Sequence, residues 1–279
     1  MKVVYSIEDL RKTVQTWRKS GETIALIPTM GALHDGHLSL VSIGRSYCQR
    51  TIVTIFVNPT QFGENEDLAT YPSDFIQDKK ILEKANVDLL FAPSVKEIYP
   101  SDFATQISVK GLSQEMCGAI RPGHFEGVAT VVTKLFLQAL PDTAIFGEKD
   151  FQQLQVIRRL TADLNIPVKI ISGPTVRDAD GLALSSRNSY LSESELKIAP
   201  VLYSTLKSAA QAIKANNSNI EHICEGALQS LLTAGFLSVD YFDVRDENTM
   251  MTVTKIKGAE RIFCAAHLKG ARLIDNFKL

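Results

Sequence analysis

The chain is predicted to fold in the α/β class, as a doubly wound parallel sheet followed by a smaller C-terminal α+β unit. Three observations lead there. Short β-rich runs alternate with helical patterns through the first two-thirds of the 279 residues, the order that builds a parallel sheet through right-handed crossovers. The β-rich runs are nearly continuous in Val, Ile, Leu and Phe, as strands are when helices cover both faces. Near Ser172-Gly173-Pro174 the alternation stops.

Taken in order, strands are expected at residues 23–27, 51–57, 87–92, 144–146 and 168–172. Helical periodicity fills the intervals at residues 38–49, 73–85, 127–139 and 151–164. In a Rossmann-like sheet of this kind ligands bind beyond the carboxyl ends of the strands, and most of the polar clusters of this chain follow a strand directly. Beyond residue 174 a loop rich in Asp, Gly and Ser leads to helices at residues 201–215 and 220–234, with the turn formers Asn216-Asn217-Ser218-Asn219 between them. Pro200 suits the opening of the first of these helices, where its missing N–H costs nothing. Two β-rich runs, residues 238–244 and 261–267, read as a hairpin-like pair. These patterns divide the chain into residues 1–174 and 175–279.

Composition narrows the function. A hydrophobic content of 45% supplies a substantial core, and 22% charged residues is ordinary for a soluble globular chain. Thirty Lys and Arg against 31 Asp and Glu give a net charge of -1, which argues against a nucleic-acid partner held by bulk positive charge. Cys48, Cys117, Cys224 and Cys264 form no Cys-x-x-Cys pair and read as reduced, mostly buried thiols. The first ten residues turn acidic too soon for a signal peptide, and the apolar stretch at residues 128–140 is broken by Lys134. A cytoplasmic protein without a membrane partner is expected.

The segment Ile27-Pro28-Thr29-Met30-Gly31-Ala32-Leu33-His34-Asp35-Gly36-His37 carries the most chemistry. A strand ends, a turn follows, and two imidazoles three residues apart open a helix on one face. Unpaired N–H groups and the positive end of the helix dipole favour phosphate there. Half of a metal site and a purely structural motif are competing readings of His-x2-His. The absence of zinc-spaced partners counts against the first, and the strand–helix context against the second. No Gly-x-Gly-x-x-Gly follows the strand, so a dinucleotide site is weaker than a triphosphate site.

Further clusters follow other strands. Asn58 and Gln61 carry neutral donors and acceptors suited to a small acid with hydroxyl groups, or form an ordinary Asn-Pro turn. In Gly147-Glu148-Lys149-Asp150, Lys149 offers a point charge for phosphate and Asp150 an N-cap for the helix that brings Gln153 to the same mouth. Ser185-Ser186-Arg187 lies at the junction and offers two hydroxyls and a planar cation for a departing pyrophosphate; the alternative is a solvated linker. Arg121 offers a cation for phosphate or carboxylate, His124 a helix cap, and His222 and His267 read as surface and sheet residues.

These residues carry a resemblance. His34-Asp35-Gly36-His37 resembles the His-x-Gly-His signature of the nucleotidylyltransferase superfamily, and Ser185-Ser186-Arg187-Asn188 the position of its mobile second signature. Six segments in order, residues 28–34, 57–59, 61–63, 121–125, 146–150 and 185–188, are similar to the pantoate–β-alanine ligase family over essentially the whole chain.

The resemblance implies that (R)-pantoate and β-alanine are joined through a pantoyl adenylate, with release of AMP and pyrophosphate. ATP is then a substrate, Mg²⁺ accompanies it, and the protein is a homodimer. It implies ATP contacts from Met30, Gly31, Ala32, Leu33, His34, Asp35, Gly36 and His37, with His37 the proton donor. Gly147, Glu148, Lys149, Asp150, Val176, Leu184, Ser185, Ser186 and Arg187 complete the ATP set. His34, His37, Lys149, Ser185, Ser186 and Arg187 are the implied catalytic groups, and Gln61 and Gln153 hold pantoate, Gln61 also lying near β-alanine. Leu184 stands where the family often has Met, and the acidic pattern near Asp74 and Asp78 is thin, so no protein ligand for Mg²⁺ is named. An adenylyltransferase acting on a phosphorylated acceptor, or a nucleotide-binding module without turnover, are the alternatives.

Overall fold

The computed structural model describes residues 1–64, 66–216 and 219–279, so Asn217 and Ser218 of the expected interhelical turn lie outside the described residues. The first sheet has six parallel strands: β1 (Lys2–Val4), β2 (Ile24–Thr29), β3 (Arg50–Ile55), β4 (Leu89–Phe91), β5 (Thr143–Gly147) and β6 (Lys169–Gly173). Their spatial order is β1-β4-β3-β2-β5-β6. The chain winds one way from β2 through β3 to β4 and the other way from β5 to β6. The strand order therefore reverses between β2 and β5, and their carboxyl ends flank the crevice where open α/β sheets bind ligands.

Strand alternation sends Ile24 and Leu26 to one face and Ala25 and Ile27 to the other. The helices of this part are α1 (Ile7–Lys19), α2 (Asp35–Tyr47), α3 (Phe75–Lys84), the short α4 (Val95–Ile98) and α5 (Cys117–Ile120), then α6 (His124–Ala139) and α7 (Phe151–Asp163). Leu10, Val132, Phe136 and Leu154 cover the first face, and Leu40, Val41 and Leu82 the second. With both faces buried, β2 has no polar side to show, which is why residues 24–28 are an unbroken apolar run.

The remaining helices are α8 (Glu193–Ile198), α9 (Val201–Ala215) and α10 (Ile220–Ala234), which ends at Gly235 in the left-handed conformation that suits a helix C-terminus. They pack Leu206, Ile213 and Leu231 on one face of an antiparallel sheet. That sheet is β7 (Ser238–Asp246), β8 (Glu260–His267) and β9 (Arg272–Lys278). The expected hairpin-like pair is thus extended by a third strand. Phe263 of β8 leaves that core and joins Phe151 of α7 in the first, tying the two parts together.

Candidate active site

A cleft of about 620 Å³ opens above the ends of β2 and β5 and is roofed by residues 174–190 and the end of β8. Its size suits a nucleotide or drug-sized ligand. Fourteen of the nineteen residues expected at a site line it: Met30, His34, Gly36, His37, Gln61 and Gly147, then Lys149, Asp150, Gln153, Val176, Leu184, Ser185, Ser186 and Arg187. The structure places the other five around its walls. The N–H groups of Ala32 and Leu33 are given to Asp78 (2.8 Å each), Gly31 packs against the same carboxylate, Asp35 is exposed, and Glu148 accepts from Ser172 (2.9 Å).

The turn after β2 is built by Asp78, which is 3% exposed. Its two oxygens hold a backbone that passes through left-handed angles at Gly31 (φ 88°) and Ala32 (φ 50°). That conformation costs a non-glycine residue about 1 kcal/mol or more, and two charge-assisted hydrogen bonds offset it. Burial pushes the Asp78 carboxyl up, and the bonds from Leu33 and Ala32 pull the other way. Asp74 caps α3 by accepting from Gln77 N–H (2.9 Å). Both acidic residues are therefore occupied in structural work.

His34 is the N-cap of α2. Its Nδ1 accepts from Gly36 N–H (3.2 Å), while the Nδ1 of His37 accepts from His34 N–H (3.3 Å). Two satisfied Nδ1 acceptors place the proton of each neutral ring on Nε2, so the pair presents two N–H donors. A Cβ on Gly36 would stand 2.8 Å from the His34 ring, so glycine here makes room for the cap as well as for a ligand. Burial, followed by the neighbouring His34, pushes His37 down to about 3, and burial followed by Lys149 lowers His34. Both rings are neutral near pH 7.

Across β5, Lys149 lies 4.0 Å from Asp150 in the turn that opens α7. Asp150 occupies the N-cap position of α7, as expected, yet its side chain makes no capping hydrogen bond and lines the cleft. The roof is a narrow hairpin in which Arg177 pairs with Ala183 and Leu184 N–H reaches Val176 C=O (2.9 Å), which sets Val176 and Leu184 opposite each other. From it Ser186 Oγ donates to Ala32 C=O (3.0 Å) and Arg187 clasps Asp67. The junction segment is docked over the cleft, and the solvated-linker reading falls.

Gln61 follows β3 on a short 3₁₀ turn (Pro59–Gln61), its side chain between Met30 Sδ (3.0 Å) and Asn58 (3.1 Å). Asn58 is 1% exposed, donates to Gly127 C=O and accepts from Tyr99 Oη (2.8 Å), so its polar atoms position Gln61 and are otherwise occupied. His124 is not the cap of α6, a place taken by Gly123. Its ring contacts Gln61 C=O (2.8 Å) and Arg121 (3.1 Å), and burial, then Arg121, pushes it down to about 4. Arg121 itself is clasped by Glu66. Val128, Val131 and Val132 of α6 make one wall apolar.

Sequence reasoning missed the strap at residues 66–71, which supplies Glu66, Asp67 and Tyr71 to the cleft, and it missed Arg272. The strap has no periodicity to read. Its one signal is the adjacent acid pair Glu66-Asp67 facing cleft arginines. His267, read only as a sheet residue, does end β8 but also lines the cleft and pairs with Asp240 (3.0 Å). Among the described residues no group of three or more His, Cys, Asp or Glu is placed to hold a metal ion, which removes support for the half-metal-site reading of His34 and His37.

Fold and cleft together define an α/β protein with a nucleotide-sized site at its switch point, with paired imidazoles after β2 and Ser185-Ser186-Arg187 across from them. A family model for pantoate–β-alanine ligase matches residues 2–278. The chain is 50% identical over 275 residues to the pantothenate synthetase of Dinoroseobacter shibae, covering 98% of each chain. It superposes on the crystal structure of pantothenate synthetase from Thermus thermophilus with a TM-score of 0.94 at 42% identity, covering 100% of this chain and 99% of that one. The pantoate–β-alanine ligase of Francisella tularensis, solved in complex with β-γ ATP and β-alanine, matches with a TM-score of 0.84 at 36% identity, covering 100% and 97%. The chain belongs to the pantoate–β-alanine ligase family, and it is an enzyme of the ligase class.

Proposed function

We propose that this chain condenses (R)-pantoate with β-alanine at the expense of ATP through a pantoyl adenylate. The observation that carries the reading is the meeting of His34, His37, Lys149 and the Ser185-Ser186-Arg187 lid in one cleft with Gln61 and Gln153. A carboxylate is a poor acyl donor, so one of its oxygens attacks the α-phosphorus and pyrophosphate departs with the bonding pair. Charge grows on the departing oxygens. Lys149, the Ser185 hydroxyl and the two Nε2–H groups are the donors on this reading, joined by Ser186 and Arg187 once these exchange Ala32 C=O and Asp67 for phosphate oxygens. The β-alanine amine then adds to the acyl carbon, AMP leaves with the C–O pair, and the nitrogen gives up a proton.

Gln61 and Gln153 orient pantoate by its carboxylate and hydroxyls, and the valine wall of α6 suits its geminal methyl groups. Gly31, Ala32, Leu33 and Glu148 act on ATP by shaping the turns that carry the lining groups, and Asp35 by its charge in the first turn of α2 beside His34. Mg²⁺ would come with the triphosphate and would offset its charge, with phosphate and water oxygens as its main ligands. Asp78 and Asp74 are spent on backbone N–H groups and Glu66 and Asp67 on arginines, so among the described residues lining the cleft Asp150, which caps nothing, is the carboxylate that would approach it. On this reading residues 1–174 carry the acid and nucleotide walls and residues 175–279 the lid. The working form is a cytoplasmic homodimer; no helix among the described residues is long and apolar enough to cross a membrane.

A phosphorylated acceptor, as in an adenylyltransferase, would need further unpaired cations. The two remaining cleft arginines, Arg121 and Arg272, are paired with Glu66 and Asp240. ATP–pyrophosphate exchange that requires pantoate supports the ligase. Exchange driven by a phosphorylated acceptor supports the adenylyltransferase, and ATP binding with no exchange supports a module without turnover.

A further inference from the structure

Two neighbouring residues of β9, Asp275 and Asn276, lie outside the roles assigned so far. Each is 4% exposed. Successive strand residues point to opposite faces, and here each face holds a different catalytic loop. The Asp275 carboxylate takes both terminal nitrogens of Arg177 (2.6 and 2.8 Å). The Arg177 guanidinium also donates to Gly181 C=O (3.1 Å) and lies 3.6 Å from the centre of the Tyr203 ring. Arg177 thereby fixes the hairpin that leads into Ser185-Ser186-Arg187. On the other face, Asn276 Nδ2 donates to two successive carbonyls, those of Glu148 and Lys149, at 2.9 Å each. Its Oδ1 accepts from Arg261, which is stacked 4.0 Å over Phe151 and ion-paired with Glu247 (2.9 Å).

Neither the 148–149 turn nor the 176–187 segment fixes the other by sequence proximity, yet both must deliver cations to one phosphate tail. A carbonyl pair gripped by one amide also sets the direction in which the Lys149 side chain leaves the backbone. We infer that Asp275 and Asn276 are positioning residues for adenylation, one clamp that sets the distance between Lys149 and the serine–arginine lid. The inference rests on the functional reading given above. It assigns no contact with substrate to either residue, since catalysis by oriented charge depends on sub-ångström placement of the groups that do touch it.

The test is pantoate-dependent ATP–pyrophosphate exchange in a double-mutant cycle. Asn276→Ala should lower exchange at saturating substrate by tenfold or more, with the pantoate KM within twofold of wild type. If the residue acts through Lys149, adding Asn276→Ala to Lys149→Ala should cost less than a further twofold. Near-wild-type exchange by Asn276→Ala overturns the proposal, and so does a fully multiplicative loss in the double variant, which is the mark of general destabilisation. Should Asn276→Ala fail to fold by circular dichroism, the isosteric Asp275→Asn decides. It should raise the ATP KM at least fivefold, and that effect should be absorbed in an Arg187→Ala background; an unchanged ATP KM overturns the proposal. A wild-type chain with no pantoate-dependent exchange overturns the functional reading itself, and the clamp with it.

Discussion

Arg187 gives its Nε and Nη2 to the two oxygens of Asp67, at 2.9 and 2.8 Å, while its guanidinium lies 5.4 Å from the centre of the Tyr71 ring. Burial pushes the Asp67 carboxyl up, but the Arg187 bonds outweigh it and hold that carboxyl below its ordinary value. A phosphate oxygen that takes Arg187 must therefore displace or share this partner. Asp67→Asn keeps the shape and removes the charge, so the ATP KM should fall several-fold in steady-state kinetics. An unchanged or raised KM would mean that Arg187 is not drawn from Asp67 to the nucleotide.

The histidines give the fold a pH dependence of known sign. His37 is lowered to about 3 and His124 to about 4, both chiefly by burial, whereas an unfolded chain titrates near 6.5. Between those values the unfolded state binds more protons, so stability is lost as pH falls from about 6.5 toward 4, by up to about 1.4 kcal/mol per pH unit for each ring. Urea unfolding at pH 7, 6 and 5 should show a falling midpoint, and His37→Gln should flatten the trend. A midpoint constant from pH 7 to 5 contradicts the buried neutral pair.

Lys149→Ala should slow adenylate formation by roughly a hundredfold or more, the scale of removing one aimed donor from a developing charge. The melting temperature should move little, because the side chain contributes no core contact. The check is single-turnover formation of pyrophosphate; a rate near wild type removes Lys149 from the phosphate tail.

Gln61→Ala should raise the pantoate KM by roughly tenfold while the ATP KM stays near wild type, as expected when one or two neutral hydrogen bonds to a substrate are lost. Isothermal titration with pantoate would serve equally, and unchanged affinity takes Gln61 out of the acid pocket.

Gly127→Ala tests the support of that pocket. A Cβ at this position would stand 2.3 Å from Thr60 C=O and 2.6 Å from Gln61 N, so α6 and the 3₁₀ turn cannot keep their approach. The expected cost is about 1–3 kcal/mol of stability, as for other overpacked sites, with a raised pantoate KM. Chemical denaturation decides; a stability equal to wild type would show that the turn yields freely.

The parallel sheet was legible because burial on both faces leaves a strand no polar alternation, and β2, β3 and β5 carry that signature plainly. The His34–His37 motif was legible because helix starts have strict local chemistry. The three-residue β1 is too short to show a period. β9 escaped because Asp275 and Asn276 interrupt its apolar pattern; arginines distant in sequence satisfy them inside a sheet, and no local propensity records that. Asn58 looked like a substrate ligand for the complementary reason. Its partners, Tyr99 and Gly127, are supplied by tertiary structure and take up the groups that the sequence leaves open.

The valine-lined side of the cleft hangs from α6, and the cationic side from the β5 turn and the hairpin pinned to β9. Evolution can therefore alter the first without touching the second. On the proposed reading of the acid pocket, exchanging Val128 or Val132 for a larger or smaller aliphatic residue would retune the preferred branching of the acid while nucleotide activation stays intact, which makes this scaffold a natural starting point for ligases that accept other hydroxy acids.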